Sequence, residues 1–301
     1  MKKVLLFTCM LLAFWEIIET SILNQPATHH TIVELELQYD SIGIPDGYKA
    51  YINTPVCESD KCYMVKIHFY WDLIGRFQEF DTIPGEGLTK LDHIPFTTKD
   101  YDKLFRLLVD PTSPIASYSK EDLVQNTRES EIDGFTGATI REIKDIVISG
   151  GVYSCFTLWH IAHGDLVDSF QLQTASLFDT ILIEKLVTTE DQDINYYLIE
   201  HFSAQDFRDF LPQVLKTLDI EKGYYAKNMI EKMPTKVVSD TISQVFFTTH
   251  FKELNYFSQV ALLKKLDKAA IIPSLAATLK QELDERSTAR NHLIKELLSL
   301  Q

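Results

Sequence analysis

The chain has 301 residues, 45% of them hydrophobic, which is enough to bury a sizeable core and leaves room for two domains. Its 43 acidic residues outweigh 29 basic ones, for a formal net charge of −14 and an isoelectric point near 5.1. That balance repels phosphate backbones and anionic membrane surfaces, so no nucleic acid is expected as a partner.

Met1-Lys2-Lys3 is a short basic start, Val4 to Trp15 is an almost unbroken apolar run, and polar residues follow. This is the layout of a secretory signal peptide, assigned to residues 1–20, with cleavage expected between Ala13 and Gln25. Leu6-Phe7-Thr8-Cys9 loosely matches the sequence before a lipidated cysteine, which is the competing reading. No later stretch approaches the roughly 20 apolar residues of a membrane-spanning helix, so stable membrane insertion is not expected. The predicted location is periplasmic or extracellular. In such an oxidising compartment Cys57 and Cys62, flanked by strand-like residues, are predicted to close a hairpin as a disulfide; two free thiols in a turn is the alternative. Cys155 is then odd, and is expected in a helix as a small buried hydrophobe.

From Thr31 to about Phe80 the pattern favours strands. Ile32-Val33-Glu34-Leu35-Glu36-Leu37 alternates, and Cys62 to Tyr70 is rich in β-branched and aromatic residues. Pro45-Asp46-Gly47 and Pro84-Gly85-Glu86-Gly87 read as turns. Thr97 and Asp100 have capping-box spacing ahead of a helix whose apolar face is Tyr101, Leu104, Phe105 and Leu108. A further helix is predicted from Ile140 to Val147; Gly150-Gly151 breaks it, and Val152 to Ala162 continues. The region 26–172 therefore reads as an α+β domain.

After about Gln173 the strand signal disappears, and residues 174–301 read as paired helices. Ile194-Asn195-Tyr196-Tyr197 returns as Gly223-Tyr224-Tyr225 and as Asn255-Tyr256-Phe257, the tyrosine recurring after 28 and then 32 residues. Phe210-Leu211-Pro212 matches Ile271-Ile272-Pro273, 61 residues on. Paired helices at a period near 30 resemble the HEAT repeat family and imply an all-α solenoid. A non-repetitive helical bundle is the alternative.

The most informative segment is Asp133-Gly134-Phe135-Thr136-Gly137-Ala138-Thr139. It resembles the Asp-x-x-(Ser/Thr)-Gly-Ala-Thr signature of covalently flavinylated FMN-binding domains, a family of exported or membrane-anchored electron carriers. The resemblance implies that a flavin transferase attaches FMN through its phosphate to the hydroxyl of Thr139. Asp133, Thr136, Gly137 and Ala138 would be the recognised surround, and redox proteins the partners. The residue types suit that chemistry: Gly137 and Ala138 let a phosphate approach the backbone, and Thr139 is expected at a helix N-terminus, where free amides favour an anion. Ile140-Arg141 departs from the small residues that usually follow in the family. Thr139 and Glu142 also have capping-box spacing, so the same hydroxyl has a purely structural use open to it.

Tyr153, Phe156, Trp159, His160 and His163 cluster near one face of the helix that follows, and Tyr153 or Trp159 would supply the flat apolar surface an isoalloxazine needs. Core packing is the competing use of such a stripe. Arg76 and Lys90 are candidate cations for a phosphate or carboxylate. No Gly-x-Ser-x-Gly elbow, Walker loop, His-Glu-x-x-His or CxxC motif is present, so a hydrolase or NTPase has no support. Two functions are carried forward: an exported FMN electron carrier, and a cofactor-free exported protein that binds a partner through its helices. An FMN-dependent reductase is a third.

Overall fold

A computed structural model describes residues 31–56, 64–125, 138–139, 141–220, 223–283 and 288–299. The chain divides into two compact units, Met1–Leu177 and Phe178–Gln301. The first is α+β and the second is all-helical among the described residues. Cys57 and Cys62, and Asp133, Thr136 and Gly137 of the motif, lie outside the described residues.

In the first unit, strands β1 (Ile32–Tyr39), β2 (Pro45–Pro55), β3 (Met64–Trp71) and β4 (Phe77–Thr82) form an antiparallel meander in that order. The alternation that predicts strands also decides which face is buried: Val65, Ile67, Phe69 and Trp71 of β3 point inward with Tyr48, Ala50 and Ile52 of β2. The first turn falls earlier than the Pro45-Asp46-Gly47 signal predicts. Asp40 accepts from the amides of Ile42 and Ile44, Gly43 adopts φ +82°, and Pro45 already pairs with Tyr39. Gly47 is needed inside β2, because a Cβ there would collide with the carbonyl of Trp71.

Helix α1 (Thr98–Leu108) opens with the expected capping box between Thr97 and Asp100. Its buried face is Leu104, Leu107 and Leu108, whereas Phe105 is 40% exposed; Leu107 takes the place the spacing predicts for Phe105, a rotation of the apolar stripe by about a sixth of a turn. The short strands β5 (Val124–Gln125) and β6 (Ala138–Thr139) follow, then α2 (Arg141–Lys144), α3 (Val152–His163) and α4 (Asp165–Ser176).

Helix α4 is pinned to the sheet. Phe170 stacks on Tyr48 at 4.5 Å between ring centroids, and fully buried Thr174 both meets the Tyr48 hydroxyl at 2.8 Å and donates to the carbonyl of Leu73 at 2.6 Å. Thr174 stands at the start of the segment read as paired helices, yet its partners belong to the first unit. From α3, the Ala162 carbonyl accepts the Trp71 indole N–H at 2.8 Å.

The second unit comprises α5 (Thr180–Val187), α6 (Gln192–His201), α7 (Ala204–Asp209), α8 (Leu211–Ile220), α9 (Tyr224–Lys232), α10 (Thr235–Val238), α11 (Thr241–His250), α12 (Tyr256–Lys265), α13 (Pro273–Gln281) and α14 (Thr288–Leu298). Helices α6, α9 and α12 begin at Gln192, Tyr224 and Tyr256, a step of 32 residues each time, and α14 follows in the same series. They pack in sequence, α6 on α9, α9 on α12 and α12 on α14, while α8, α11 and α13 make a second such series. The first three end alike, at Phe202, Met233 and Leu266 in extended conformation with ψ of 132°, 133° and 133°.

Hydrogen bonds span the same step: Lys232 to Glu200 at 2.7 Å, Asn255 to the Gly223 carbonyl at 2.9 Å, and Lys265 to the Met233 carbonyl at 2.9 Å. Asn228 donates to the hydroxyl of Tyr196, again 32 residues away. Tyr196-Tyr197 therefore sits one helical turn beyond the place of Tyr224-Tyr225. The sequence spacing of 28 arises because a slip of about four residues keeps the same helix face.

Candidate functional site

The end of the Asp133–Thr139 motif is held as a strand. Thr139 pairs with Val124 and Ala138 with Gln125, antiparallel, as β6 on β5. Residue 139 is thus in extended backbone, and α2 begins at Arg141 as a single turn of four residues rather than as the longer helix expected from Ile140 to Val147. Its aligned dipole is correspondingly small, so an anion near Thr139 would depend on local amides. Both α2 and α3 pack against the 3-10 turn Pro114–Ser117, which gives the motif's helix and the aromatic helix a common neighbour. Just ahead of that turn, the Ser113 hydroxyl is buried and has no hydrogen-bond partner among the described residues.

The aromatic cluster on α3 is continuous, because the His160 ring meets Phe156 at 4.0 Å and stands edge-on to Trp159 at 5.1 Å, but its members differ in burial. Trp159 is 6% exposed, its indole N–H donates to the Asp110 carbonyl at 2.9 Å, and its ring lies 4.8 Å from that of His163. His163 in turn donates through Nε2 to the carbonyl of Leu108 at 2.8 Å, so both side chains satisfy carbonyls at the C-terminal end of α1. Tyr153, Phe156 and His160 are half-buried. The open aromatic surface is therefore Tyr153 with Phe156 and His160, while Trp159 packs beneath.

The two candidate cations are engaged. Arg76 Nε meets Asp72 at 2.6 Å, and Lys90 meets Asp100 at 2.8 Å. The Lys90 ammonium, helped by the Thr97 hydroxyl, holds the Asp100 carboxyl down at about 2. Cys155 is buried as expected; burial raises its thiol to about 11, and its sulfur accepts from the Ile148 amide at 3.4 Å. No cluster of three or more His, Cys, Asp or Glu side chains placed for a metal, and no helix long and apolar enough to cross a membrane, occurs among the described residues.

Burial also pushes the His163 imidazole below its ordinary value of 6.5, against the opposing pull of the Leu108 carbonyl and Asp110. His68 is lowered as well, by burial and then by Lys49. A depressed imidazole resists a proton that the unfolded chain accepts, so its stabilisation is complete above about 6.5 and is lost as pH falls below that. The first unit is expected to weaken in urea between about pH 7 and pH 5, and His163→Gln, which keeps an N–H donor for Leu108, to flatten that dependence. Asp100 titrates below this window and does not contribute to it. Equal unfolding midpoints at the two pH values in the parent chain would contradict the assignment.

Compared with protein-family models, with curated proteins and with solved structures, the chain matches none.

Proposed function

We propose that this chain is an exported electron carrier with FMN joined through its phosphate to the hydroxyl of Thr139. The observation that carries the reading is the Asp133–Thr139 motif itself, whose last two residues are held in strand register by Val124 and Gln125. The unpartnered Ser113 hydroxyl beside the turn shared by α2 and α3 offers a polar contact suited to such a group. Tyr153, Phe156 and His160 offer partly open flat surface for the ring system, with Trp159 supporting them from below. Bound there, the isoalloxazine would supply reversible electron transfer.

Attachment forms a bond from the Thr139 oxygen to the flavin phosphorus as the hydroxyl loses its proton, and it breaks the phosphoanhydride of an activated FMN donor, whose other phosphate-bearing half leaves; a flavin transferase must bring that donor. The signal sequence at residues 1–20 and a Cys57–Cys62 disulfide belong to the same reading, which places both attachment and electron transfer outside the cytoplasm. The 32-residue helix step favours a HEAT-like solenoid in the second unit, a surface on which redox partners dock. The same step supports the second reading, an exported binding protein without cofactor.

The two separate on one experiment. The mature chain is produced together with a flavin transferase, run on a denaturing gel and inspected for flavin fluorescence, with intact mass measured in parallel. Expected are a fluorescent band and a mass increase of one FMN, both abolished in Thr139→Ala. A dark parent band, or fluorescence that survives the substitution, removes FMN from Thr139 and leaves the binding protein.

A further inference from the structure

Strand β1 is an open edge of the four-stranded sheet: β2 pairs with one side of it, and among the described residues no strand pairs with the other. In an antiparallel ladder every second residue turns its N–H and C=O away from its partner, so an edge strand of eight residues holds out about four of each. No backbone hydrogen bond reaches Ile32–Tyr39 from outside the sheet among the described residues. Backbone groups arrayed in this way accept an added strand.

The two faces of β1 state what that strand must carry. On the outer face Glu34 and Glu36 are exposed, and neither makes a hydrogen bond or an ion pair among the described residues. Glu34 sits opposite Tyr51 and Glu36 opposite Lys49, but the Lys49 ammonium leans over the Tyr70 ring of β3 at 5.7 Å. On the inner face Val33 is buried, while Leu35 and Leu37 are half-buried. A strand laid along the edge would set its side chains about 5 Å from these two rows, cations beside the glutamates and apolar groups beside the leucines. The opposite edge, β4, is shorter at six residues, its register with β3 shifts between Tyr70 and Trp71, and its Asp81 already accepts from the Tyr70 hydroxyl at 3.1 Å.

Charge decides among the occupants. Two copies of β1 brought together would set Glu34 and Glu36 of one against the same pair of the other, and like charges placed opposite one another destabilise a sheet. An acidic or uncharged segment would leave both carboxylates uncompensated. The glutamates that bar self-pairing therefore select a basic strand, and the leucines behind them select aliphatic residues in alternation with its cations. We infer that β1 is a docking edge for an extended basic segment of a partner protein, in which Lys or Arg alternates with aliphatic residues, and that this segment joins the sheet beside β1. The inference does not depend on a flavin at Thr139.

The test uses the full chain and fluorescein-labelled peptides of about ten residues, read by anisotropy at about 0.15 M salt, where distant charges are screened. One peptide alternates lysine and valine, one alternates glutamate and valine, and one holds the same lysines and valines in two blocks. The alternating lysine peptide is expected to bind, and the other two at least about tenfold more weakly. Glu34→Lys with Glu36→Lys should reverse the preference, so that the glutamate peptide binds more tightly than the lysine peptide, with unchanged circular dichroism. Glu79→Lys, at an exposed position on β4, should leave the parent's order of affinities intact. A parent chain that binds none of the peptides up to about 1 mM, that binds the block peptide as tightly as the alternating one, or whose preference survives the double substitution overturns the inference. So does a preference that Glu79→Lys reverses, and so does self-association of the parent that the double substitution alters, which would give the edge to a second copy. Should the double variant fail to fold, Glu36→Gln alone must still weaken the alternating lysine peptide by about twofold or more.

Discussion

Trp71→Ala is expected to destabilise the first unit by about 4–5 kcal/mol, a large share of the 5–15 kcal/mol that holds a typical domain together. Trp71 is at the crossing of every layer: its ring meets Phe69 at 5.6 Å, Phe77 at 6.2 Å and Phe170 of α4 at 5.0 Å, and its N–H ties down the carbonyl of Ala162. Truncation leaves a cavity bounded by three rings that cannot collapse without unstacking, plus a carbonyl that loses its partner. Trp71→Phe keeps most of the ring and loses the hydrogen bond, so it should cost about 1–2 kcal/mol. Trp159, which is in the same unit, reports urea unfolding by its fluorescence in both variants. A loss below about 1 kcal/mol for Trp71→Ala would show that α3 and α4 do not depend on this contact.

Gln244→Leu should be nearly as costly in the second unit, at about 3–5 kcal/mol, although it replaces a polar residue by an apolar one of similar size. Gln244 is buried on α11. Its amide nitrogen donates to the carbonyls of Ser239 at 2.7 Å and Ala270 at 2.9 Å, and its oxygen accepts from the Ile272 amide at 2.9 Å. It therefore ties α11 to the turn and cap that launch α13. Leucine fills the space but abandons two carbonyls and one amide away from water, each at about 1–3 kcal/mol before relaxation. Loss of the helical signal in urea is the measurement, with Gln205→Leu at an exposed position as the control. A Gln244→Leu midpoint equal to that of the control would mean that water replaces all three bonds.

Several elements were legible because their physics is local. The alternation in Met64–Trp71 predicts a strand with one buried face, since side chains alternate whatever the strand packs against. Thr97 and Asp100 predict the start of α1, because the capping box closes within four residues. The burial of Cys155 follows from its apolar neighbours on α3. The recurrence near 30 residues is visible in Tyr224-Tyr225 and Tyr256-Phe257, which stand at equivalent places on α9 and α12.

What was not legible depends on partners distant in sequence. Phe105 and Leu107 are equally apolar, and only the surface beneath α1 decides that Leu107 is buried and Phe105 is not. Trp159 was open to either a flat ligand surface or core packing, and its sequence neighbourhood does not show that the Asp110 and Leu108 carbonyls, 49 and 55 residues before Trp159 and His163, take up the N–H groups of those two side chains. Gln244 and Gln259 have no sequence signal at all. Gln244 is buried where the Ala270 carbonyl and the Ile272 amide need partners, and Gln259 where it takes the Phe251 and Leu254 carbonyls and accepts from Arg290, 31 residues on.

The order of classes, α+β and then all-helical, is readable from the residues alone, because periodicity and capping are properties of short windows. The residues also supply the Asp133–Thr139 motif, on which the flavin proposal rests. The tertiary structure alone decided which polar atoms are consumed in holding helix ends, which aromatics remain open on α3, and which strands lie at the edges of the sheet. Hydrogen-bond satisfaction and burial are settled between segments dozens of residues apart, and a local pattern contains no record of the surface it will face.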